Sequence, residues 1–522
     1  MKALNVLLAI VVSVVMALFM FEGGLRLIGK GPPASLLEFD NHLGWRKRPN
    51  ASVHRSGPEY SVTITTNEWS LADDPLQSAA KPAGVYRVVV LGDSFTQGFT
   101  VSREHLYVDL LERRWKAEGR NVDVINAGTE GWSTDQEVVW FLRNGAQFQP
   151  DLVVLQTYDN DLYWNGQGAY IDRGSEKPLF RADGTLEKES LTDVGPRPWS
   201  DSLAVVRLVR PFVSNRFAAA HVFEPVGGAR PILKEFAALL PRPPEFFARS
   251  LEGTRGALTA LQRECAKLGA RLVVVPIPSH GAVDPAFGAK FAGEQLGLAA
   301  SSLAFERPVE TVLAMANEAS IQSFDLRPAL AAAHGPEHEL YFNVDWHLNP
   351  NGNRVLASAL HDELDRAGWL PAASTAVAAD TLENTAARPA ARWPLVFGAL
   401  WVVLSALFLG TYPDERNWKA PLKVGAMLAA IFTIVLGGGA LVKLLPQAYS
   451  GWIFGLFVVG VLGFVAFKLG RRFGTILELL RSFVLRGHWY LMPLLVVLLT
   501  IGSLLVVAAS SPLIAPFIYT LF

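Results

Sequence analysis

Apolar runs and amphipathic stretches alternate in a regular order through the middle of the chain. Residues 87–91, 122–126, 151–156, 271–276 and 321–326 are short and rich in β-branched side chains, and they predict buried strands. Residues 101–118, 134–144, 254–268, 309–318 and 354–367 repeat their apolar positions at helical spacing. Strands separated by helices predict an α/β fold, a parallel sheet flanked by helices. Residues 162–250 interrupt the alternation, with a hairpin signal at 178–186 around Asp183-Gly184 and helical pieces at 203–213. They read as an insertion placed to cover a site. Residues 31–85 are punctuated by Pro32-Pro33, Pro49-Asn50 and Gly57-Pro58 and predict a small β-containing lead-in.

The two ends of the chain follow another pattern. Residues 3–21 are uncharged and apolar, long enough at about 1.5 Å per residue to cross a hydrocarbon layer of about 30 Å. No small-x-small cleavage site precedes Glu22, so they read as a retained signal anchor rather than a cleaved signal peptide. Four more apolar stretches, 393–412, 424–442, 451–467 and 489 to about 509, are each near spanning length. Basic residues gather in two of the loops between them: Arg416, Lys419 and Lys423 in one, and Lys468, Arg471, Arg472, Arg481 and Arg486 in the other. The loop at 443–450 carries only Lys443. The positive-inside rule puts the two basic loops in the cytoplasm and residues 30–390 outside it. Arg26 and Lys30 argue the other way at the first helix, and the stronger bias of the later loops decides.

The chain then divides into a transmembrane anchor (1–30), the lead-in (31–85), an α/β domain (86–369), a linker rich in Ala, Thr and Pro (370–392) and a four-helix membrane module (393–522). The lipid bilayer is one expected partner. Gly451-x-x-x-Gly455 would let two helices pack closely, which offers the C-terminal helices to membrane-protein partners.

Composition narrows the function. Half of the 522 residues are hydrophobic, which fits a soluble core plus membrane segments. The net charge of −1 gives no reason to expect nucleic acid as a partner. A single cysteine, Cys265, excludes an intrachain disulfide and a cysteine metal cluster. No His-Glu-x-x-His, P-loop or Gly-x-Gly-x-x-Gly is present, so neither a metal nor a cofactor is expected.

The candidate chemistry sits at strand ends. Gly92-Asp93-Ser94 follows the first strand, where an open α/β sheet forms its ligand crevice, and Ser94 is the candidate nucleophile. A serine hydroxyl needs a base, usually a histidine oriented by a carboxylate. His347 fits, because Asp345 two residues earlier shares its side in an extended loop and Asn349-Pro350-Asn351-Gly352 then leads into a helix. Donors for an oxyanion come from the backbone of Ser94 and Gly131 and the side-chain amide of Asn160, at the ends of successive strands. Trp132, Trp140, Trp164 and Trp346 lie near these residues; packing against the sheet is favoured over stacking on a sugar. Asp159 and Asp161 form either a solvated loop or a pair suited to a cation, the loop being favoured.

Taken in order, Gly92-Asp93-Ser94, Asn126-x-x-x-x-Gly131, Asn160-Asp161 and Asp345-x-His347-x-Asn349-Pro350-x-Gly352 resemble the SGNH, or GDSL, hydrolase superfamily over about residues 40–368. The resemblance implies a flavodoxin-like sheet and a Ser-His-Asp esterase or acyltransferase mechanism. Ser94 would be the nucleophile, His347 the base and Asp345 its orienting acid, with Ser94, Gly131 and Asn160 forming the oxyanion hole. Two positions depart from the common form. The usual Asp-x-x-His would put the acid at Val344, one place before Asp345, although members that acylate bacterial polysaccharides have the closer spacing. The usual Gly ahead of Asn-Asp is replaced by Tyr158-Asp159.

Leu43-Gly44-Trp45 followed by Asn67 resembles membrane-anchored bacterial members of the superfamily, and residues 516–522 resemble small bacterial membrane proteins of unknown function. Together these imply a multi-pass protein of the bacterial inner membrane. Its hydrolase domain would act outside the cytoplasm on an acyl ester of a cell-envelope or exported glycan through an acyl-serine. The competing readings are a non-catalytic glycan-binding or assembly protein that keeps the fold, and a lipid-directed lipase or thioesterase.

Overall fold

The computed structural model describes residues 35–76, 78–170, 175–193 and 222–373, with isolated positions at 22, 203 and 206 and between 397 and 429. The apolar stretches at 3–21, 451–467 and 489–509 lie outside the described residues. Those at 393–412 and 424–442 and the helical pieces at 203–213 lie mostly outside them, and the linker from 374 to 392 lies wholly outside. Among the described residues no helix is long and apolar enough to cross a membrane. The chain divides into two compact units: one gathers residues 32–202, 209–384 and 521–522, the other 1–31, 203–208 and 385–520. In the latter, the Trp401 indole donates to the Pro421 carbonyl at 2.8 Å.

The larger unit begins with two antiparallel hairpins, β1 (Leu37–Asp40) with β2 (Gly44–Lys47) and β3 (Ser52–Ser56) with β4 (Ser61–Thr65). A parallel sheet of five strands follows: β5 (Tyr86–Leu91), β6 (Val122–Asn126), β7 (Leu152–Thr157), β8 (Arg271–Pro276) and β9 (Gln322–Ser323). Their spatial order is β9-β8-β7-β5-β6. This is the doubly wound order of flavodoxin, in which the chain reverses direction between β5 and β7 and a crevice opens at their carboxyl ends.

Alternation along each strand builds two cores. Val89, Leu91, Val153, Leu155 and Val274 face one side, and Val88, Val90, Val154, Val273 and Val275 the other. Helices α3 (Thr134–Phe148) and α5 (Ala248–Leu268) cover the first face, and α2 (Tyr107–Ala117) and α7 (Pro350–Arg366) the second. Two four-residue helices, α1 (Ser94–Gln97) and α4 (Asp161–Trp164), open directly beyond β5 and β7, and α6 (Arg307–Glu318) precedes β9.

The structure adjusts several expected boundaries. Helix α2 starts at Tyr107 rather than 101 because Leu106 is extended and a 3-10 turn, Arg103–His105, precedes it. Strand β9 is two residues long. It is an edge strand with β8 as its one neighbour, and Asp325 takes the Arg327 N–H at 3.1 Å to turn the chain into the next helix. Helix α7 starts at Pro350, where the missing N–H costs nothing, capped by the Asn349 side chain on the Gly352 N–H at 3.0 Å.

The lead-in packs into the first core through Leu36, Trp45, Val53, Tyr60, Val62 and Ile64. Its polar contacts fasten it to the loop after β6: the Trp45 indole donates to the Glu130 carbonyl at 3.1 Å, the Trp132 indole to the Trp45 carbonyl at 2.9 Å, and Lys47 to the Gly128 carbonyl. The insertion is held in a similar way. Its predicted hairpin bridges Phe180 to Leu186, and Lys177, fully buried, pairs with fully buried Asp135 of α3 and donates to the Trp164 carbonyl at 2.8 Å. Removing one partner of such a buried pair typically costs about 3–5 kcal/mol, because the other charge is left without compensation. Lys177 therefore fixes where the insertion enters the domain.

Candidate active site

Ser94 is the first residue of α1, raised at the end of β5 by a turn with little freedom. A Cβ at Gly92 would lie 2.2 Å from Thr96 Oγ1 and 2.3 Å from Gln156 Oε1, so only glycine fits there. Asp93 caps α1, its carboxylate accepting the Phe95 N–H at 2.9 Å. Burial pushes the Asp93 carboxyl up to about 6, against the lowering effect of that hydrogen bond and of His347.

His347 approaches from the loop before α7. Its Nε2 lies 2.7 Å from Ser94 Oγ, and its Nδ1 lies 2.5 Å from Asp345 Oδ1. The serine, histidine and aspartate are thus joined in one line of hydrogen bonds. The intervening geometry differs from an extended loop. The Phe342 N–H donates to the His347 carbonyl at 2.8 Å, the Trp346 N–H donates to the Phe342 carbonyl at 3.2 Å, and Trp346 has a φ of 68°. A tight turn with a left-handed residue at its centre, rather than the alternation of an extended strand, brings Asp345 and His347 to the same side.

Two phenylalanines four residues apart, Phe95 in α1 and Phe99 just beyond its left-handed Gly98 cap, lie against the imidazole, Phe95 at 4.5 Å between ring centroids and Phe99, stacked, at 5.3 Å. Burial works to lower the His347 pKa, but the charge and hydrogen bond of Asp345, with Asp93 behind, outweigh it and the net shift is upward. Cys265 offers no competing nucleophile, since it is buried in α5 and burial pushes its thiol up to about 12.

The loop after β6 is drawn against the same turn. Asn126 donates to the Thr96 carbonyl at 2.8 Å, the Thr129 N–H to the Gly92 carbonyl at 2.9 Å, and Gln97 and Glu130 bond each other twice, each at 2.9 Å. Gly131 follows with a φ of 72°, a conformation that favours glycine. Among the described residues no acceptor is paired with the backbone N–H of Ser94 or Gly131, and the Asn160 side chain, its Oδ1 buried, makes no hydrogen bond. These are the groups expected to face an oxyanion. Asn160→Ala should lower kcat about 10²–10³-fold with little change in KM; steady-state kinetics showing an unchanged kcat would remove Asn160 from that role.

The remaining candidates separate. Trp132, Trp140 and Trp164 are buried, the first on the Trp45 carbonyl, the second stacked on Phe148 at 5.7 Å and the third against Tyr170 at 4.2 Å, so packing accounts for them. Trp346 sets its edge against Phe291 at 5.0 Å. Asp159 and Asp161 do different work. Asp161 accepts the Tyr158 N–H at 3.1 Å at the start of α4, while burial pushes the Asp159 carboxyl up to about 7.

One His–Asp group brings potential metal ligands together. His280, Asp284 and His334 have ligand atoms within 4.8 Å of one another. His280, however, is stacked between Phe287 and Tyr341 at 3.7 and 4.8 Å, and Nδ1 of both histidines is buried without a partner. A metal-bound imidazole normally has its second nitrogen held by a hydrogen bond, so this group has the character of packed core.

The residues that sequence reasoning passed over are the ones that hold this machinery. Phe95 and Phe99 sit at helical spacing around the Gly-Asp-Ser motif, a signal that was available. Arg55 and Glu59 of the lead-in carry no such local mark. The Arg55 guanidinium pairs with Glu130 at 2.5 Å and lies 4.5 Å above the Phe99 ring.

The profile of the GDSL-like lipase/acylhydrolase family matches residues 90–355, and that of a family of unknown function, DUF5989, matches residues 473–522. No curated protein matches the chain. Among solved structures, a lipase/acylhydrolase from Enterococcus faecalis is 16% identical, with 56% of this chain and 100% of that one covered at a TM-score of 0.31. An acetyl xylan esterase, AlAXEase, is 16% identical over 53% of this chain and 99% of its own, at a TM-score of 0.30. A catalytic mutant of an acetylxylan esterase from Geobacillus stearothermophilus is 15% identical over 55% and 97%, at 0.29.

Proposed function

The chain belongs to the GDSL-like lipase/acylhydrolase family and is a serine ester hydrolase of that kind, and on that premise we propose that Ser94, His347 and Asp345 remove or transfer a short acyl group on a glycan outside the bacterial inner membrane. The observation that carries the reading is the unbroken line from Ser94 Oγ through the imidazole to the Asp345 carboxylate. Ser94 Oγ attacks the ester carbonyl carbon as its proton passes to His347 Nε2. The oxyanion that forms faces the N–H groups of Ser94 and Gly131 and the Asn160 amide. When the carbon–oxygen bond to the alcohol breaks, His347 returns the proton to the leaving oxygen and an acyl-Ser94 is left. Water then attacks, giving up its proton to His347, and the free acid leaves as Ser94 is re-formed. A sugar hydroxyl entering in place of that water gives acyl transfer.

Two features support the finer reading. The recess beside Ser94, lined by Phe95, Gly98, Phe99, Val101, His347 and Leu348, is partly open and has room for little more than one water-sized group. So shallow a recess favours a short acyl group over a lipid chain. The apolar stretches at both ends of the sequence, with basic loops between them, support a membrane-held domain facing outward. A series of p-nitrophenyl esters should therefore be cleaved in the order acetyl, butyryl, octanoyl, the last poorly. Intact spheroplasts carrying the full chain should deacetylate an impermeant acetylated oligosaccharide. A preference for octanoyl would overturn the short-acyl assignment, and a requirement for lysis would overturn the outward one.

A further inference from the structure

Glu59 stands at the tip of the β3–β4 hairpin, in the turn Gly57-Pro58-Glu59-Tyr60 that closes with the Gly57 N–H on the Tyr60 carbonyl at 2.9 Å. Its carboxylate is spent on the loop that carries the aspartate and histidine. Oε1 accepts the Asn343 N–H at 2.8 Å, and Oε2 accepts the Val344 N–H at 2.8 Å and the Asp345 N–H at 3.2 Å. Three successive backbone donors converging on one anion form a nest, and charge-assisted bonds of this type are among the stronger ones in a protein. The hairpin adds apolar support to the same loop: Tyr60, buried, lies 6.0 Å from Phe342 and 6.3 Å from Phe99 between ring centroids.

We propose that Glu59 is the positioning residue of the active site, clamping the 343–345 backbone so that the Asp345 carboxylate meets His347. This rests on the reading of Ser94, His347 and Asp345 as the reacting line. The turn between Asp345 and His347 has to hold Trp346 at positive φ, a conformation that a bulky side chain adopts only when its surroundings impose it. Glu59 supplies that constraint from outside the turn. It also lies outside residues 90–355, so the part of the chain that carries the family's own pattern is incomplete as a catalyst without the lead-in.

The test uses the full chain in detergent with p-nitrophenyl acetate. Glu59→Gln keeps the volume but turns an NH₂ group toward backbone donors, and Glu59→Ala removes the clamp. Each should lower kcat by about 10- to 100-fold with KM little changed, the cost expected when a catalytic group is displaced by a fraction of an ångström to an ångström. The decisive arm repeats Glu59→Ala in an Asp345→Ala background, where it should cost almost nothing further, because its effect runs through Asp345. If Glu59 only stabilised the fold, both variants would keep the wild-type kcat per folded molecule, and that result overturns the proposal. Equal losses in the two backgrounds overturn it as well. Hydrolysis surviving in Ser94→Ala would instead bring down the underlying reading, so the two failures are told apart.

Discussion

Replacing Ser94 with alanine is expected to end turnover of p-nitrophenyl acetate and labelling by a fluorophosphonate, with a fall in kcat on the order of 10⁶-fold. The size of the effect follows from the division of labour at the site. The Oγ atom is the group that forms the covalent bond, and once it is gone the imidazole has no proton to take. What survives is the donor set of Ser94 N–H, Gly131 N–H and Asn160, worth about 10³–10⁴ over the reaction in water. The substitution leaves the turn intact, because Gly92 and the Asp93 cap on Phe95 set the backbone there and the one hydrogen bond of Oγ is to His347. The variant should thus melt at the wild-type temperature. Labelling that persisted in a folded variant would place the nucleophile elsewhere.

The second large effect is at Asp345. His347 must be neutral to accept the serine proton, so kcat/KM falls as pH drops through the His347 pKa, which the structure holds above its ordinary value. Burial alone would lower that pKa; the Asp345 charge and hydrogen bond reverse the sign. In Asp345→Asn the carboxylate is gone, the raising influence is lost, and the acid limb of the pH profile should move to lower pH. At the same time kcat should fall by about 10⁴-fold, since the amide no longer selects the tautomer that presents a bare Nε2 to Ser94. A pH–rate profile with the limb unmoved would show that another group orients the histidine. Asp93 is the nearest alternative in the structure, since its charge also raises His347.

Much of this arrangement was legible in the sequence because it is local. Residues 122–126 and 271–276 are strands with the boundaries expected, each a β-branched run stopped by turn residues. Gly92-Asp93-Ser94 falls at the carboxyl end of β5 because the switch point of a 2-1-3-4-5 sheet lies there. The Asp345–His347 contact was foreseen on the assumption of an extended loop, whereas a turn makes it; two residues apart, both geometries put the side chains within reach. The edge strand β9 came out shorter than its apolar run, since one neighbour and a capping Asp325 end its pairing early.

The contacts that were not legible join distant parts of the chain. Glu59 and Val344 are separated by 285 residues, Lys177 and Asp135 by 42 and Lys47 and Gly128 by 81, and no periodicity or motif pairs one member with the other. A glutamate in a Gly-Pro turn reads as a solvated loop residue until the fold lays it on the three N–H groups of another loop. Hydrophobic periodicity says which face of an element is covered, and it does not say which polar group from elsewhere will meet a bare backbone donor.

The most direct test of the account is the mass of the peptide containing Ser94 after the full chain is mixed with p-nitrophenyl acetate and quenched in acid before turnover is complete. The peptide should gain the mass of one acetyl group, located on Ser94 by fragmentation and absent from Ser94→Ala. An acetyl group on another residue, or rapid hydrolysis with Ser94 never modified, would contradict it.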